Sequence, residues 1–201
     1  MNPRVVDSIC HANSYNAGIE GGYLFEFKVT FDAYLQNHPA PEFLILNVDL
    51  TSFEKGYFFN YNQYYPYINN VVIRNALSAN GYYNFFYKLF PFLIITEYDN
   101  LTRGNAIKGL RGKDQGQMPN GDFLYKGYKT NGYSFITTSD TITVNKKLDI
   151  TKSGLSYLQS IINTCKERKI KLVLTYAPEY NFGLRKHTTN AADILNTITQ
   201  I

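Results

Sequence analysis

Apolar positions along the chain fall into two similar phrases, each a helical stripe followed by a short continuous apolar run. In the first phrase Tyr23, Leu24, Phe27, Phe31, Tyr34 and Leu35 recur at helical spacing. Gly22 to about Gln36 therefore reads as an amphipathic helix. Asn37, Pro39 and Pro41 end it. The run Glu42–Leu50, EFLILNVDL, follows. Such a run, apolar at successive positions, suits a strand of a parallel sheet buried on both faces.

The second phrase lies near the carboxyl terminus. Asp149 or Thr151 can cap a helix whose stripe is Leu155, Leu158, Ile161, Ile162 and Cys165. Lys166, Arg168 and Lys169 fall in its last turn, where cations suit the helix dipole. KLVLTYAP (Lys171–Pro178) reads as a second buried strand, followed by a loop, EYNFGLRKH. Helix, loop and buried strand, twice over, predict an α/β domain. In open α/β sheets ligands bind beyond the carboxyl ends of the strands.

Between the phrases lies a long insertion, residues 51–147. Ile68, Val71, Val72, Ala76 and Leu77 predict one helix, and Tyr82–Thr96 a second, kinked at Pro91. Leu101–Gly132 is rich in glycine and polar residues and reads as a lid-like irregular segment. Tyr133–Val144 reads as including an extended piece, and NAADILNTITQI at the end reads as a helix.

The chain has 201 residues, 44% of them hydrophobic and 18% charged, which fits one globular domain. A net charge of +4, with scattered cations, gives no reason to expect nucleic acid. The most apolar run, LFPFLIIT, is too short to span a bilayer, which takes about 20 residues. The first residues have no apolar signal-peptide core. Cys10 and Cys165 read as free thiols, and no spacing of Cys and His suggests a metal. No cofactor motif is present. The 18 Tyr and 14 Phe, with no Trp, cluster in YFFNYNQYYPY and YYNFFYKLFPF. They fit core packing, with A/T-rich codon usage contributing, and they also offer faces for a sugar ring or acyl chain.

Three places offer chemistry. NAGIEGG (Asn16–Gly22) sits at a helix mouth, where backbone N–H groups can hold an oxyanion, or where glycines simply make a turn. It matches neither G-x-G-x-x-G nor the P-loop, and Glu20 would repel an anion. Asp49 closes the first strand, as a site carboxylate or as the cap of a turn. Glu179 follows Pro178 and could reach the same crevice or be a plain loop carboxylate. No His neighbours Thr51 or Ser52, and His11, His38 and His187 read as solvent-facing.

In order, SYNAGIEGGYLFEF, PEFLILNVDLTSF, NYNQYYPY and LQSIINTCKERKIKLVLTYAPEY resemble the SGNH (GDSL-like) hydrolase superfamily, most of all its bacterial polysaccharide-modifying branch. The resemblance covers most of the chain, through individually weak motifs. It implies a three-layer α/β/α, flavodoxin-like domain with a mostly parallel sheet, spanning 1–201. It implies ester (O-acyl) hydrolysis or acyl transfer on a carbohydrate, and work at the cell envelope. Gly18 would be the oxyanion-hole glycine, with Asn16, Asn47, Asp49 and Glu179 lining the site. The family's Gly-x-Asn-Asp is not matched at LNVDL. Its serine block would precede NPRVVDSI, and its Asp-x-x-His does not occur after Pro178. The expectation is thus a partial, inactive domain, or else a non-catalytic glycan- or partner-binding protein, or a fragment with no function of its own. A sheet lacking its first strand would self-associate through the exposed edge.

Overall fold

The structure, a computed structural model, describes residues 1–19, 22–53, 58, 61–90, 93, 124–126, 128–129, 147–176 and 188–201. Four expectations lie wholly or mostly outside these residues: the kink at Pro91, the glycine-rich segment apart from 124–126 and 128–129, the extended piece at 133–144 and the loop with Glu179 and His187. The chain divides into two compact units, Met1–Gly18 with Asn84–Thr138, and Ile19–Tyr83 with Ser139–Ile201.

The second unit holds both sequence phrases. Helix α2 (Leu24–Asn37) leads to strand β1 (Phe43–Asn47), and helix α5 (Lys152–Arg168) leads to strand β4 (Lys171–Thr175). The strands pair in parallel, Phe43 against Lys171 through Asn47 against Thr175. The chain is therefore a mixed α/β protein with a two-stranded parallel sheet. Leu44, Leu46 and Leu172 point inward with Val48 and Leu50 beyond them, onto Leu24 and Phe31 of α2 and Leu158, Ile161 and Cys165 of α5. Ala191 and Ile194 of helix α6 (Ala191–Thr199) complete this core. The stripe read from sequence on α5 is the buried one. Burial pushes the Cys165 thiol pKa up, so it stays protonated and inert.

Both strands were expected to be buried on two faces. Among the described residues only one is covered. Phe43, Ile45 and Val173 alternate with the inner leucines and stand exposed.

Local signals set the helix ends. The N–H of Tyr23 donates to Glu26 Oε2, so Glu26 closes the first turn of α2, and the helix stops before Pro39. At Gly22 a Cβ would meet the Phe27 ring at 3.0 Å and Ile19 at 3.1 Å, so a side chain here would make these neighbours shift by a few tenths of an ångström. Thr151 Oγ1 accepts the N–H of Gly154 and caps α5, and Lys169 ends that helix in the left-handed region with φ 58°. Helix α3 (Val71–Ala79) is capped by Asn70, whose amide also donates to the Ala33 carbonyl of α2.

The aromatic run packs inward. Phe58 is buried against Phe25, Tyr64 and Tyr82, and a 3-10 helix, Tyr61–Tyr67, buries Tyr64 and Tyr65. Tyr61 stacks on Tyr82 at 4.2 Å. Burial pushes the Tyr64 phenol well above its usual pKa.

In the first unit, helix α1 (Pro3–Cys10) starts with Pro3 behind the Asn2 cap and ends at His11 in the left-handed region. The residues after it form no strand. Helix α4 (Phe86–Leu89) is one turn, far shorter than the helix read over Tyr82–Thr96. A hairpin, β2 (Leu124–Tyr125) with β3 (Tyr128–Lys129), turns through Lys126 at φ 44°. Lys126 Nζ donates to Asp7 Oδ2 and Asn13 Oδ1, both at 2.6 Å, and Asn16 N–H donates to the Lys126 carbonyl. One lysine thus ties the N-terminal segment to a hairpin over a hundred residues away.

The Gly154→Ala substitution tests the packing of α5. A Cβ there would lie 2.6 Å from the Phe53 carbonyl oxygen and 2.9 Å from its Cα. Alanine favours helix, yet we expect a loss of about 1–3 kcal/mol by urea unfolding. A gain in stability would contradict this packing. Asp7 gives a pH test. The Lys126 bond, then the Ser14 bonds, hold its pKa at about 2, below its ordinary 3.8. A depressed acid stabilises the fold fully above 3.8 and loses that contribution as pH falls through 2. Exchange protection of the Asn16 amide should therefore fall across that window, and Asp7→Asn should abolish the pH dependence.

Candidate functional site

The carboxyl ends of β1 and β4 carry the polar residues that the sequence placed at a site. Asn47 is the last residue of β1 and is exposed, opposite Thr175. The N–H of Val48 donates to the Thr175 carbonyl at 2.8 Å, so the pairing persists one residue further. The chain then turns at Asp49. A strand this apolar must leave the sheet through polar groups, and Asp, Thr and Ser do so by bonding their own backbone.

Asp49 Oδ1 is the centre of the turn. It accepts from Thr51 N–H at 3.0 Å, Thr51 Oγ1 at 2.8 Å, Ser52 N–H at 2.8 Å and Ser52 Oγ at 2.9 Å. Ser52 Oγ in return accepts the N–H of Asp49 at 3.1 Å. Ser52 is buried, and both capacities of its hydroxyl are used. The hydroxyls of Thr51 and Ser52 thus both hold the turn. All four bonds fall on Oδ1, and among the described residues none falls on Oδ2. A carboxylate fixed by one oxygen presents the other as a rigid acceptor for a ligand hydroxyl or a cation.

The turn also serves the helices. The Ser52 carbonyl accepts the N–H of Leu24, and the Phe53 carbonyl accepts both N–H and Oγ1 of Thr151. Glu26, one turn into α2, is fully buried. Its apolar-phase position in the sequence gave no warning of a carboxylate there. The signal that could have found it is its spacing of three from Tyr23, the helix cap.

The remaining candidates divide between the two units. Asn16 and Gly18 belong to the first unit, Asn47 and Asp49 to the second. Gly18 N–H donates to Asn16 Oδ1 at 3.0 Å, so the proposed oxyanion donor is turned onto its own chain. His11 and His38 are exposed helix ends, and His38 stacks on Tyr34. Glu20, Glu179 and His187 lie outside the described residues. Among the described residues, no group of three or more His, Cys, Asp or Glu could hold a metal ion, and no helix is long and apolar enough to cross a membrane.

Compared with protein-family models, curated proteins and solved structures, the chain matches none. Any functional reading therefore rests on the residues and their geometry.

Asp49→Ala should cost about 1–3 kcal/mol, because four donors lose their acceptor. Asp49→Asn keeps an oxygen at Oδ1 and should cost about half as much, the charge alone being lost. Denaturant unfolding of the two variants side by side checks the order.

Proposed function

We propose that this chain is an SGNH-hydrolase-like α/β protein, three-layered and flavodoxin-like, whose parental chemistry is ester (O-acyl) hydrolysis or acyl transfer on a carbohydrate. The observation that carries the reading is the pairing of the two helix–strand phrases as parallel neighbours, with Asn47 and Asp49 at the carboxyl end of β1. In this reading Asn47 and Asp49 line the substrate site at that end, and the resemblance alone gives Asn16 and Glu179 as further lining candidates and Gly18 as an N–H donor to the developing oxyanion. To do so, the Gly18 N–H must leave Asn16 Oδ1, a bond at an exposed position and a modest cost.

A second reading, a non-catalytic glycan- or partner-binding protein, is favoured by a specific observation. Ser52 is fully bonded and the described histidines are exposed helix ends. The described serine hydroxyls with bonds, those of Ser14, Ser52 and Ser153, donate to a carbonyl, a carboxylate or a threonine hydroxyl and not to a histidine, the base that activates serine in nucleophilic acyl chemistry. In this reading a sugar hydroxyl is held at Asp49 Oδ2 and Asn47 without turnover.

One experiment separates the two. The purified chain is given an activated acetyl ester and O-acetylated oligosaccharides, and their binding is measured alongside acetate release. Catalysis predicts release that falls about 10²–10³-fold in Gly18→Pro, which lacks the N–H, and persists in Gly18→Ala. Oligosaccharide binding without release, weakened by Asp49→Asn, supports the second reading. Neither release nor binding rejects both.

A further inference from the structure

We propose that Asn80 is a site of spontaneous deamidation, and that the carboxyl-terminal cap of α3 holds the reaction off. Asn80 is followed by Gly81. Asparagine is thermolabile, and most so before glycine, which has no side chain to shield its N–H. Glycine stands here for a different reason. Gly81 follows the last residue of the α3 cap and lies in the left-handed region, at φ 77°. A Cβ there would meet nothing within 4 Å, so the backbone angle alone calls for glycine. The cap thus sets a labile pair where water reaches it, with Asn80 half-buried and Gly81 exposed.

The same cap blocks the chemistry. The Gly81 N–H donates to the Ser78 carbonyl at 3.1 Å and the Tyr82 N–H to the Leu77 carbonyl at 2.9 Å, the two bonds of a Schellman motif. The Asn80 side-chain amide donates to the Ala76 carbonyl at 2.8 Å. Nucleophile and leaving group are therefore both engaged. With ψ of Asn80 at 6°, the Gly81 nitrogen lies well away from the eclipsed position beside Cβ that closes a five-membered ring. Reaction requires the cap to open. The Gly81 nitrogen, its proton lost to hydroxide, then attacks Asn80 Cγ. The Cγ–Nδ2 bond breaks and ammonia leaves, taking a proton from water. Water opens the cyclic imide at either carbonyl, giving aspartate or isoaspartate. Neither product restores the cap. Aspartate loses the donor to Ala76 and sets a negative charge at the negative end of α3, and isoaspartate adds a carbon to the main chain before Tyr82. Tyr82 stacks on Tyr61 at 4.2 Å, and its carbonyl accepts the Tyr65 hydroxyl at 3.0 Å. Each loss of the amide records, irreversibly, an opening of this end of α3.

Peptide mapping by mass spectrometry tests this on the whole chain, held in mildly alkaline buffer either folded or in guanidinium chloride. Mapping separates Asn80 from Asn120 and Asn131, which also precede glycine. Unfolded, Asn80 should convert to aspartate and isoaspartate; folded, it should convert at least about tenfold more slowly. Tyr65→Phe, which removes the hydroxyl bonded to Tyr82, should raise the folded rate about two- to tenfold and leave the unfolded rate unchanged. In the wild type, hydrogen exchange of the Gly81 amide and conversion of Asn80 should rise together through sub-denaturing guanidinium, a comparison that needs no variant. Equal folded and unfolded rates overturn the proposal. So does an unfolded chain that does not convert, a Tyr65→Phe chain that converts at the wild-type rate when folded, or Gly81 exchange that rises while conversion does not.

Discussion

Two successive carbonyls organise the larger unit. Ser52 accepts the first N–H of α2, and Phe53 accepts the N–H and hydroxyl of Thr151, the cap of α5. The first N–H groups of any helix lack partners within it, and inside a core each must find one. Here both helices find theirs on the segment leaving β1. Asp49 fixes that segment through four bonds to one oxygen. The approach is so close that α5 has glycine at position 154, where a side chain would strike the Phe53 backbone. Helix positions, core and the carboxyl end of the sheet all depend on this turn.

The same constraint bears on function. A turn that spends Thr51, Ser52 and half of Asp49 on structure leaves a short set of groups for chemistry. What it leaves is the second carboxylate oxygen of Asp49, at the strand end where α/β proteins place ligands. In the proposed binding reading that oxygen holds a ligand hydroxyl. An acyl-transfer role would need groups beyond this turn, and in the proposed reading Gly18 supplies one of them. Of the two aromatic clusters, which sequence left open between core and ligand platform, the first buries Phe58, Tyr64 and Tyr65 but exposes Tyr67, and the second exposes Phe85, Phe86 and Phe90.

The α/β phrases were legible because apolar periodicity and caps are local signals. Helices α2, α3, α5 and α6 and both strands follow from stripes, Pro39, Asn70 and Thr151. Helix α1 was passed over, although Asn2-Pro3 is a cap followed by proline at the first helical position. The Tyr82–Thr96 pattern suggested a long helix, and among its described residues one turn, Phe86–Leu89, is α-helical; an apolar run rich in aromatics carries no period strong enough to decide. Burial on both strand faces was expected, yet Phe43, Ile45 and Val173 stand exposed, because continuous apolarity says that a face suits cover but not what provides it. At the candidate site, Asp49 was visible as either a ligand or a turn residue. Only the coordinates show four donors on one of its oxygens. The bond from Gly18 to Asn16 and the clasp of Lys126 on Asp7 depend on geometry and on long sequence separation, and no local pattern announces either.

Native-state hydrogen exchange tests the organising role of the turn most directly, at the amides of Leu24 and Thr151 in the wild type and in Asp49→Ala. These two N–H groups lie over a hundred residues apart in sequence and share only the Ser52–Phe53 segment. Protection at both should fall together and by a similar factor, because the turn that holds their acceptors has lost its anchor. If Leu24 loses protection while Thr151 keeps it, the two helices are anchored independently, and the turn is not the constraint on which the unit depends.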